Sequence, residues 1–405
     1  MCLVSLRGDS GYEEGMDQFP DICELARALI RCPSVTPVDA GALDVVQKVL
    51  EKMGFICHRL PFGDGPTGKV DNLYAKFGTG RPNFCYAGHT DVVPPGETDS
   101  WSFDPFEASL DEGMIYGRGA VDMKGAIAAF VDASRRYLSV ISEKDCSLPG
   151  AISLLITGDE EGSAINGTKK VLEWLRTNGE TLDDCLVGEP TNSEQLGDMV
   201  KIGRRGSLNA RVVVKGVQGH VAYPGTEASS VHRLVRLLAS IERLSLDAGT
   251  EYFQPSNLEI TSIDVGNHTT NVVPARASAQ FNIRFNDRHD GESLRDQIHN
   301  WCNTYAKDFD LDIEVSGEAF LTAPGKLSDV VSAAVAVATG RKPILSTSGG
   351  TSDARFIKDI CPVVEFGLIS RTMHKVDECV SVSDLSLLSD VYLEILERYF
   401  SEDSP

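Results

Sequence analysis

The sequence has no long apolar run and no excess of basic charge. No stretch approaches the roughly 18 consecutive apolar residues that a membrane-spanning helix needs. Lysine and arginine number 38 against 59 acidic residues, which gives a net charge of −21. This charge argues against non-specific binding to nucleic acid or to an anionic membrane surface. A small anionic substrate is compatible with this negative charge only where a local cluster of arginines binds the substrate.

Closely spaced cysteine pairs are also missing. The ten cysteines are scattered, and none forms a Cys-x-x-Cys pair. Most lie in apolar runs such as Phe84-Cys85-Tyr86, where a buried thiol behaves as a small hydrophobic side chain. We therefore predict reduced, structural cysteines, as in a cytoplasmic protein. Residues 1–18 contain no apolar run long enough for a signal peptide, so we interpret them as a leader and expect a cytoplasmic chain.

At 405 residues the chain is too long for a single compact core. In its first part, helical and strand-like patterns alternate. The predicted helices cover residues 21–31, 40–53 and 125–138, and the predicted strands cover residues 83–87, 151–157 and 182–188. Such alternation predicts an α/β domain with a mostly parallel sheet that is covered by helices.

The middle third has a different pattern. Strands predicted over 206–215, 257–265, 277–286 and 311–316 are separated by helices predicted over 229–244 and 291–307. Strand, helix, strand, strand, helix, strand is the order of a ferredoxin-like α+β unit. Alternation then resumes, with a helix over 327–339 and a strand over 363–366. We expect one α/β domain from residues 19–205 and 321–405, with an α+β domain inserted at 206–320.

Acidic residues and histidines stand at the ends of the predicted strands or at the start of a predicted helix. In an open α/β sheet, ligands bind at the carboxyl ends of the strands, so we expect these side chains to meet at one edge. The set consists of His89, Asp91, Asp122, Glu160, Glu161, Glu189 and His374.

Taken singly, most members of this set have simpler explanations. His89 fits a polar loop histidine, Asp122 fits a helix N-cap, and the others fit surface turns. Taken together, they offer the imidazole nitrogens and carboxylate oxygens that zinc binds where thiolates are absent. Two such ions about 3.5–4 Å apart form a hydrolytic centre. The joint pattern therefore favours a metal-dependent hydrolase.

These motifs resemble those of the M20 family of metallopeptidases and deacylases, and the resemblance covers nearly the whole chain from Leu25 onward. It implies a zinc-peptidase-like catalytic domain whose inserted domain serves as a lid and dimerisation domain. It also implies a homodimer and two zinc ions per subunit, for which cobalt can substitute. By this resemblance, one ion would be held by His89, Asp122 and Glu189, and the other by Asp122, Glu161 and His374.

The resemblance assigns further roles. Glu160 matches the family's general base, and Asp91 matches the partner that orients His89. His220 lies in the segment 216–224, and in the family this histidine reaches the active site of the partner subunit and stabilises the oxyanion.

Three further stretches, 201–208, 269–285 and 348–356, narrow the resemblance to family members that cleave N-succinyl-LL-2,6-diaminopimelate into succinate and LL-2,6-diaminopimelate, a step of lysine biosynthesis. This substrate carries carboxylates at both ends, which suits the fork-shaped donors of arginine. The expected substrate-binding residues are Arg204, Arg205, Ser207, Asn271, Arg284, Gly350 and Thr351. Two alternatives stay open: another deacylase or dipeptidase of the family, such as an acetylornithine deacetylase, and a non-catalytic binding relative.

Overall fold

The computed structural model describes residues 19–64, 68–144, 146–223 and 228–401. The leader at 1–18 and the end of the segment 216–224 lie outside these ranges. The chain divides into two compact units. Unit 1 falls within Met1–Val200, Lys326–Ile344 and Glu365–Pro405, and unit 2 comprises Lys201–Gly325 and Leu345–Val364. Within the described ranges, no helix is both long enough and apolar enough to cross a bilayer.

The helices follow the apolar periodicity of the sequence. Asp21 caps the first of them, because its carboxylate accepts a hydrogen bond from the backbone N–H of Glu24 at 2.8 Å, as its position predicts. The helices are α1 (Ile22–Ile30), α2 (Ala42–Lys52), α3 (Lys124–Glu143), α4 (Thr168–Thr177), α5 (Ser230–Ile241), α6 (Gly291–Tyr305), α7 (Lys326–Thr339), α8 (Ala354–Ile357) and α9 (Val382–Tyr399).

Strands of very different lengths connect these helices. They are β1 (Ile56–Arg59), β2 (Leu73–Phe77), β3 (Asn83–His89), β4 (Ser109–Asp111), β5 (Met114–Tyr116), β6 (Ala151–Thr157), β7 (Asp184–Val187), β8 (Met199–Lys201), β9 (Gly203–Arg204), β10 (Gly206–Lys215), β11 (Gly219–His220), β12 (Asn257–Asp264), β13 (Val272–Val273), β14 (Arg276–Phe285), β15 (Phe309–Gly317), β16 (Phe320–Leu321), β17 (Ile344–Ser346), β18 (Val363–Glu365) and β19 (Cys379–Ser381).

The largest sheet has eight strands in the order β1-β2-β6-β3-β7-β18-β8-β17. Strand β3 pairs in parallel with both β6 and β7, whereas β1 and β2 add antiparallel pairs at one side. Every residue of β3 and β6 is buried, which explains why both read as continuous apolar runs. The predicted α/β class with a mostly parallel sheet is confirmed.

Unit 2 contains a four-stranded sheet in the order β12-β14-β10-β15, with antiparallel pairing at each step. With α5 and α6 between the strands, this is the ferredoxin-like arrangement that the strand and helix order predicts. Leu208, Phe281 and Ile283 of the sheet pack in one core with Leu234 and Ile298 of the helices.

Several elements differ from their predicted bounds or were not predicted. Helix α3 continues to Glu143, beyond the predicted end at 138, because no glycine or proline interrupts the chain there. Helix α4 and most strands of two to five residues were not predicted, since a short strand holds too few residues to show a period of two.

Candidate metal centre

The parallel register of the largest sheet brings the predicted site residues to one edge. His89 is the last residue of β3 and lies opposite Thr157, the last residue of β6. Glu161 follows β6 and Glu189 follows β7. His89 is therefore a buried strand residue, and its interpretation as a polar loop histidine is wrong.

Asp122 lies between two histidines. Its Oδ1 is 3.1 Å from His89 Nε2, and its Oδ2 is 3.1 Å from His374 Nε2. Helix α3 begins at Lys124, with Met123 in the N-cap position and no side-chain cap. The N-cap interpretation of Asp122 is therefore wrong, because both of its carboxylate oxygens face imidazole nitrogens.

Two ligand groups share this aspartate. His89, Asp122 and Glu189 bring one ligand atom each within 4.8 Å of the others, and so do Asp122, Glu161 and His374. His89 Nε2 lies 3.6 Å from Glu189 Oε1, and His374 Nε2 lies 2.9 Å from Glu161 Oε1. Ligand atoms about 2.0–2.1 Å from a tetrahedral ion are about 3.3 Å apart, so these distances fit two divalent cations that share Asp122.

The two groups differ in solvent access. His89, Asp122 and Glu189 are all buried. His374, in contrast, keeps 44% of its side chain exposed. Its backbone φ of +61° lies in the left-handed region that is uncommon outside glycine. One half of the centre is therefore buried, and the half at His374 is partly open to solvent.

Asp91 contacts the ring of His89 through its backbone carbonyl and not through its carboxylate. His89 Nδ1 donates to the backbone carbonyl oxygen of Asp91 at 2.9 Å, whereas the nearer carboxylate oxygen of Asp91 is 3.7 Å away. In the neutral imidazole, this bond places the proton on Nδ1 and leaves Nε2 able to bind a metal ion. The Asp91 carboxylate instead accepts from the Thr36 hydroxyl at 2.7 Å and from the backbone N–H groups of Glu160 and Glu161 at 3.3 and 3.0 Å. Asp91 thus orients the histidine through its carbonyl and holds the Glu160–Glu161 turn through its carboxylate.

The carboxylates change the protonation of both histidines. Burial is the largest single influence on the pKa of His89 and lowers it. The hydrogen bond to Asp122 and the charges of Asp122, Glu160 and Asp91 together outweigh burial and raise this pKa well above its usual range. Hydrogen bonds that His374 donates to Asp122 and Glu161 raise its pKa to about 10. These contacts therefore favour the protonated form of both histidines when no cation is bound.

We expect the binding of zinc to the metal-free protein to release about two protons per chain at pH 7, because a ligating histidine must be neutral. A proton on either histidine competes with zinc for the ring nitrogen. Because both pKa values are raised, this competition weakens as the pH rises, and zinc affinity should increase with pH. Calorimetric titrations in buffers of different ionisation enthalpy measure the proton count. Zinc binding without proton release would contradict this assignment of the ligands.

The predicted substrate-binding residues all lie in unit 2. Arg204 donates to the carbonyl oxygen of Gly350 at 3.1 Å, and Thr351 is the next residue of that loop. Ser207 of β10 lies opposite Arg284 of β14.

Two of these arginines influence each other. Arg205 donates to Asn257 Oδ1 at 2.8 Å, and burial lowers its pKa. Burial, followed by the charge of Arg205, lowers the pKa of Arg284. A bound anion would relieve this repulsion between half-buried guanidinium groups.

His220 and Asn271 also lie together in unit 2, outside both ligand groups. His220 of β11 pairs with Val272 of β13, and the backbone N–H of Val221 donates to the carbonyl oxygen of Asn271 at 3.2 Å. Both His220 and Asn271 are exposed. The short β11–β13 ribbon therefore presents the histidine and the asparagine side by side.

Sequence reasoning missed two residues next to the centre. Arg118 donates to Glu378 Oε2 at 2.7 Å, and the other oxygen of Glu378 accepts from the backbone N–H groups of Val121 and Asp122. Arg118 precedes Asp122 by four residues and Glu378 follows His374 by four. Their closeness to Asp122 and His374 in the sequence was the only available indication of a role at the centre. A single charged residue in a polar turn has no periodicity or motif spacing that identifies it as functional.

Known proteins are similar to this chain over most of its length. The family model described as peptidase family M20/M25/M40 matches residues 85–398. A succinyl-diaminopimelate desuccinylase of Rhodospirillum centenum is 57% identical over 386 residues, which cover 95% of this chain and 99% of the relative. A protein of the same name from Caulobacter vibrioides is 56% identical and covers 94% of this chain and 96% of its own.

Solved structures show the same fold at low sequence identity. A family M20 metallo-carboxypeptidase of Sulfolobus solfataricus has a TM-score of 0.74 at 16% identity, covering 94% of this chain and 100% of its own. A protein of Bacillus subtilis described as a dinuclear metal-binding peptidase from the M20 family has a TM-score of 0.66 at 15% identity, covering 93% of this chain and 96% of its own.

Proposed function

The chain belongs to peptidase family M20/M25/M40, and we propose that it hydrolyses N-succinyl-LL-2,6-diaminopimelate to succinate and LL-2,6-diaminopimelate. The observation that carries the reaction class is the pair of ligand groups that share Asp122. Relatives that cover nearly the whole chain at 52–57% identity are named succinyl-diaminopimelate desuccinylase, which supports this substrate. The product belongs to the synthesis of diaminopimelate and lysine.

In this proposal the chain holds two zinc ions, for which cobalt can substitute. His89, Asp122 and Glu189 hold one ion, and Asp122, Glu161 and His374 hold the other. When bound, two such ions supply an attacking water of lowered pKa and positive charge opposite the developing oxyanion. The donor set of imidazole nitrogens and carboxylate oxygens suits zinc.

Glu160 is the proposed general base. Its carboxylate lies with His89 and Glu161 in a further group of ligand atoms within 4.8 Å of one another, so a water held at the centre would lie close to it. Asp91 fixes the turn through the backbone N–H of Glu160. Glu160 takes a proton from the water as the water oxygen bonds to the amide carbon. It then passes this proton to the amine nitrogen as the C–N bond breaks, which yields succinate and a free amine.

The residues of unit 2 are proposed to bind the substrate carboxylates and to complete the site in a homodimer. Arg205 and Arg284 offer fork-shaped donors whose mutual repulsion an anion relieves. Arg204, Ser207, Asn271, Gly350 and Thr351 are the other proposed contacts. His220 is proposed to stabilise the oxyanion in the active site of a second copy, and its exposure leaves its imidazole accessible to that copy.

We place the enzyme in the cytoplasm. The nine cysteines within the described residues are all free thiols, as expected in a reducing compartment.

Assays with succinylated and acetylated diaminopimelate test the substrate. We expect kcat/KM to be at least about 100-fold higher for the succinyl compound, because an acetyl group lacks the carboxylate that the proposed arginine contacts recognise. Arg284→Met should raise KM for the succinyl compound by about 10–100-fold, whereas Arg211→Met, an exposed arginine on the same sheet, should not. Equal rates on both substrates, or a preference for an acetylated amine such as acetylornithine, would contradict the desuccinylase assignment.

A further inference from the structure

A buried ion pair lies behind the shared aspartate. The side chains of Arg118 and Glu378 are 3% and 0% exposed, and their charged atoms are 2.7 Å apart. Glu378 Oε1 accepts from the backbone N–H of Val121 at 2.9 Å and from that of Asp122 at 3.2 Å. One carboxylate therefore binds a guanidinium with one oxygen and holds the main chain of the Asp122 turn with the other.

The same pair reaches the loop of the second histidine. Arg118 Nη1 donates to the carbonyl oxygen of Lys375 at 3.2 Å, and Nη2 lies 3.5 Å from that of His374. The backbone of Glu378 is held in turn, because its carbonyl oxygen accepts from the N–H of Gly117 at 2.8 Å. These bonds connect the Asp122 turn to the His374 loop, although about 250 residues of sequence separate the two.

An aromatic ring covers the pair. The Trp101 ring lies 5.2 Å from the Arg118 guanidinium carbon, and its Nε1 donates to the carbonyl oxygen of Pro95 at 3.0 Å. The carboxylate of Asp377 accepts from the backbone N–H and the hydroxyl of Ser102, which ties this covering segment to the histidine loop. Water therefore has little access to replace a lost hydrogen bond of Arg118 or Glu378.

We propose that Arg118 and Glu378 are positioning residues for the two-metal centre. They hold Asp122 and His374 at a separation at which the Asp122 carboxylate would be able to contact both ions. This inference rests on the proposed function, since it needs two bound ions. A small main-chain shift at Asp122 or His374 would move one oxygen of Asp122 away from its ion. We therefore expect the loss of affinity to be larger for the ion at Glu161 and His374 than for the buried ion at His89 and Glu189.

Metal titration of the full-length protein tests the pair. In Glu378→Gln, the side chain has one oxygen and one NH₂ group. If the oxygen accepts from the backbone N–H groups, the NH₂ group faces Arg118; in the other orientation, the hydrogen bonds from those N–H groups are lost. We expect this substitution to weaken binding of the second cobalt or zinc ion by about 10–100-fold, in line with other outer-shell substitutions. We also expect it to change the visible absorption of the cobalt-loaded protein. Arg118→Lys keeps the buried charge but not the reach to His374, and it should show the same loss.

A buried carboxylate of unit 2 provides the matched control. Asp247 accepts from the backbone N–H groups of Gly249 and Ser256 and from Asn286, and its side chain is 4% exposed. Asp247→Asn should lower the melting temperature measured in EDTA and leave the second-ion affinity and the cobalt spectrum unchanged. If Arg118→Lys or Glu378→Gln behaves like this control, or binds both ions as wild type does, the positioning role is wrong. A wild type that fails to bind two ions would instead refute the proposed function.

Discussion

Replacing Glu160 with glutamine is expected to lower kcat by about 10²–10⁴-fold while the variant still binds two metal ions. An amide cannot accept the proton of the attacking water or deliver it to the leaving amine. Glu160 belongs to neither of the two ligand groups that share Asp122, so we expect the variant to keep both ions. Steady-state kinetics together with elemental analysis of the same preparation measure both effects.

The control for this substitution is Glu194→Gln, at an exposed position of unit 1. It removes the same charge from the surface and should leave kcat and metal content unchanged. A Glu160→Gln variant with near-normal kcat would exclude Glu160 as the base. A variant that loses a metal ion would show that Glu160 is a ligand instead.

Replacing Asp122 with asparagine is expected to have the largest effect on metal content, leaving fewer than about one ion per chain and lowering activity by more than about 10³-fold. Both oxygens of Asp122 face a histidine nitrogen at 3.1 Å. An asparagine offers one oxygen and an NH₂ donor, and the donor repels a cation. Metal content after dialysis against buffered zinc measures the loss.

Glu189→Gln is the comparison for Asp122→Asn, because Glu189 belongs to only one of the two ligand groups. It should keep about one ion per chain. Equal losses in the two variants would mean that Asp122 does not bridge the two ions.

The position of the centre could be predicted from the sequence because it follows from long apolar strands. Strands β3 and β6 are seven-residue runs that are buried on both faces. Their parallel pairing places His89 and the Glu160–Glu161 turn at one edge of the sheet, independently of the loop conformations. The ferredoxin-like fold of unit 2 could be predicted because its strands have one exposed face. Strand β14 alternates between buried and more exposed residues, so its period of two is visible in the sequence.

The contacts around the centre could not be predicted, because they depend on distances between loops. An aspartate just before a helix matches both an N-cap and a ligand, and only the two histidines facing Asp122 separate the alternatives. The contact of His89 Nδ1 with the carbonyl oxygen of Asp91 is less than 1 Å shorter than its distance to the Asp91 carboxylate, a difference that no sequence pattern can predict. The Arg118–Glu378 pair joins residues 260 positions apart, which no local pattern reveals.

Elemental analysis of the wild-type protein, dialysed against buffered zinc, tests the two-metal centre most directly. The arrangement of His89, Glu161, Glu189 and His374 around Asp122 predicts about two zinc ions per chain. Fewer than one ion per chain would contradict it.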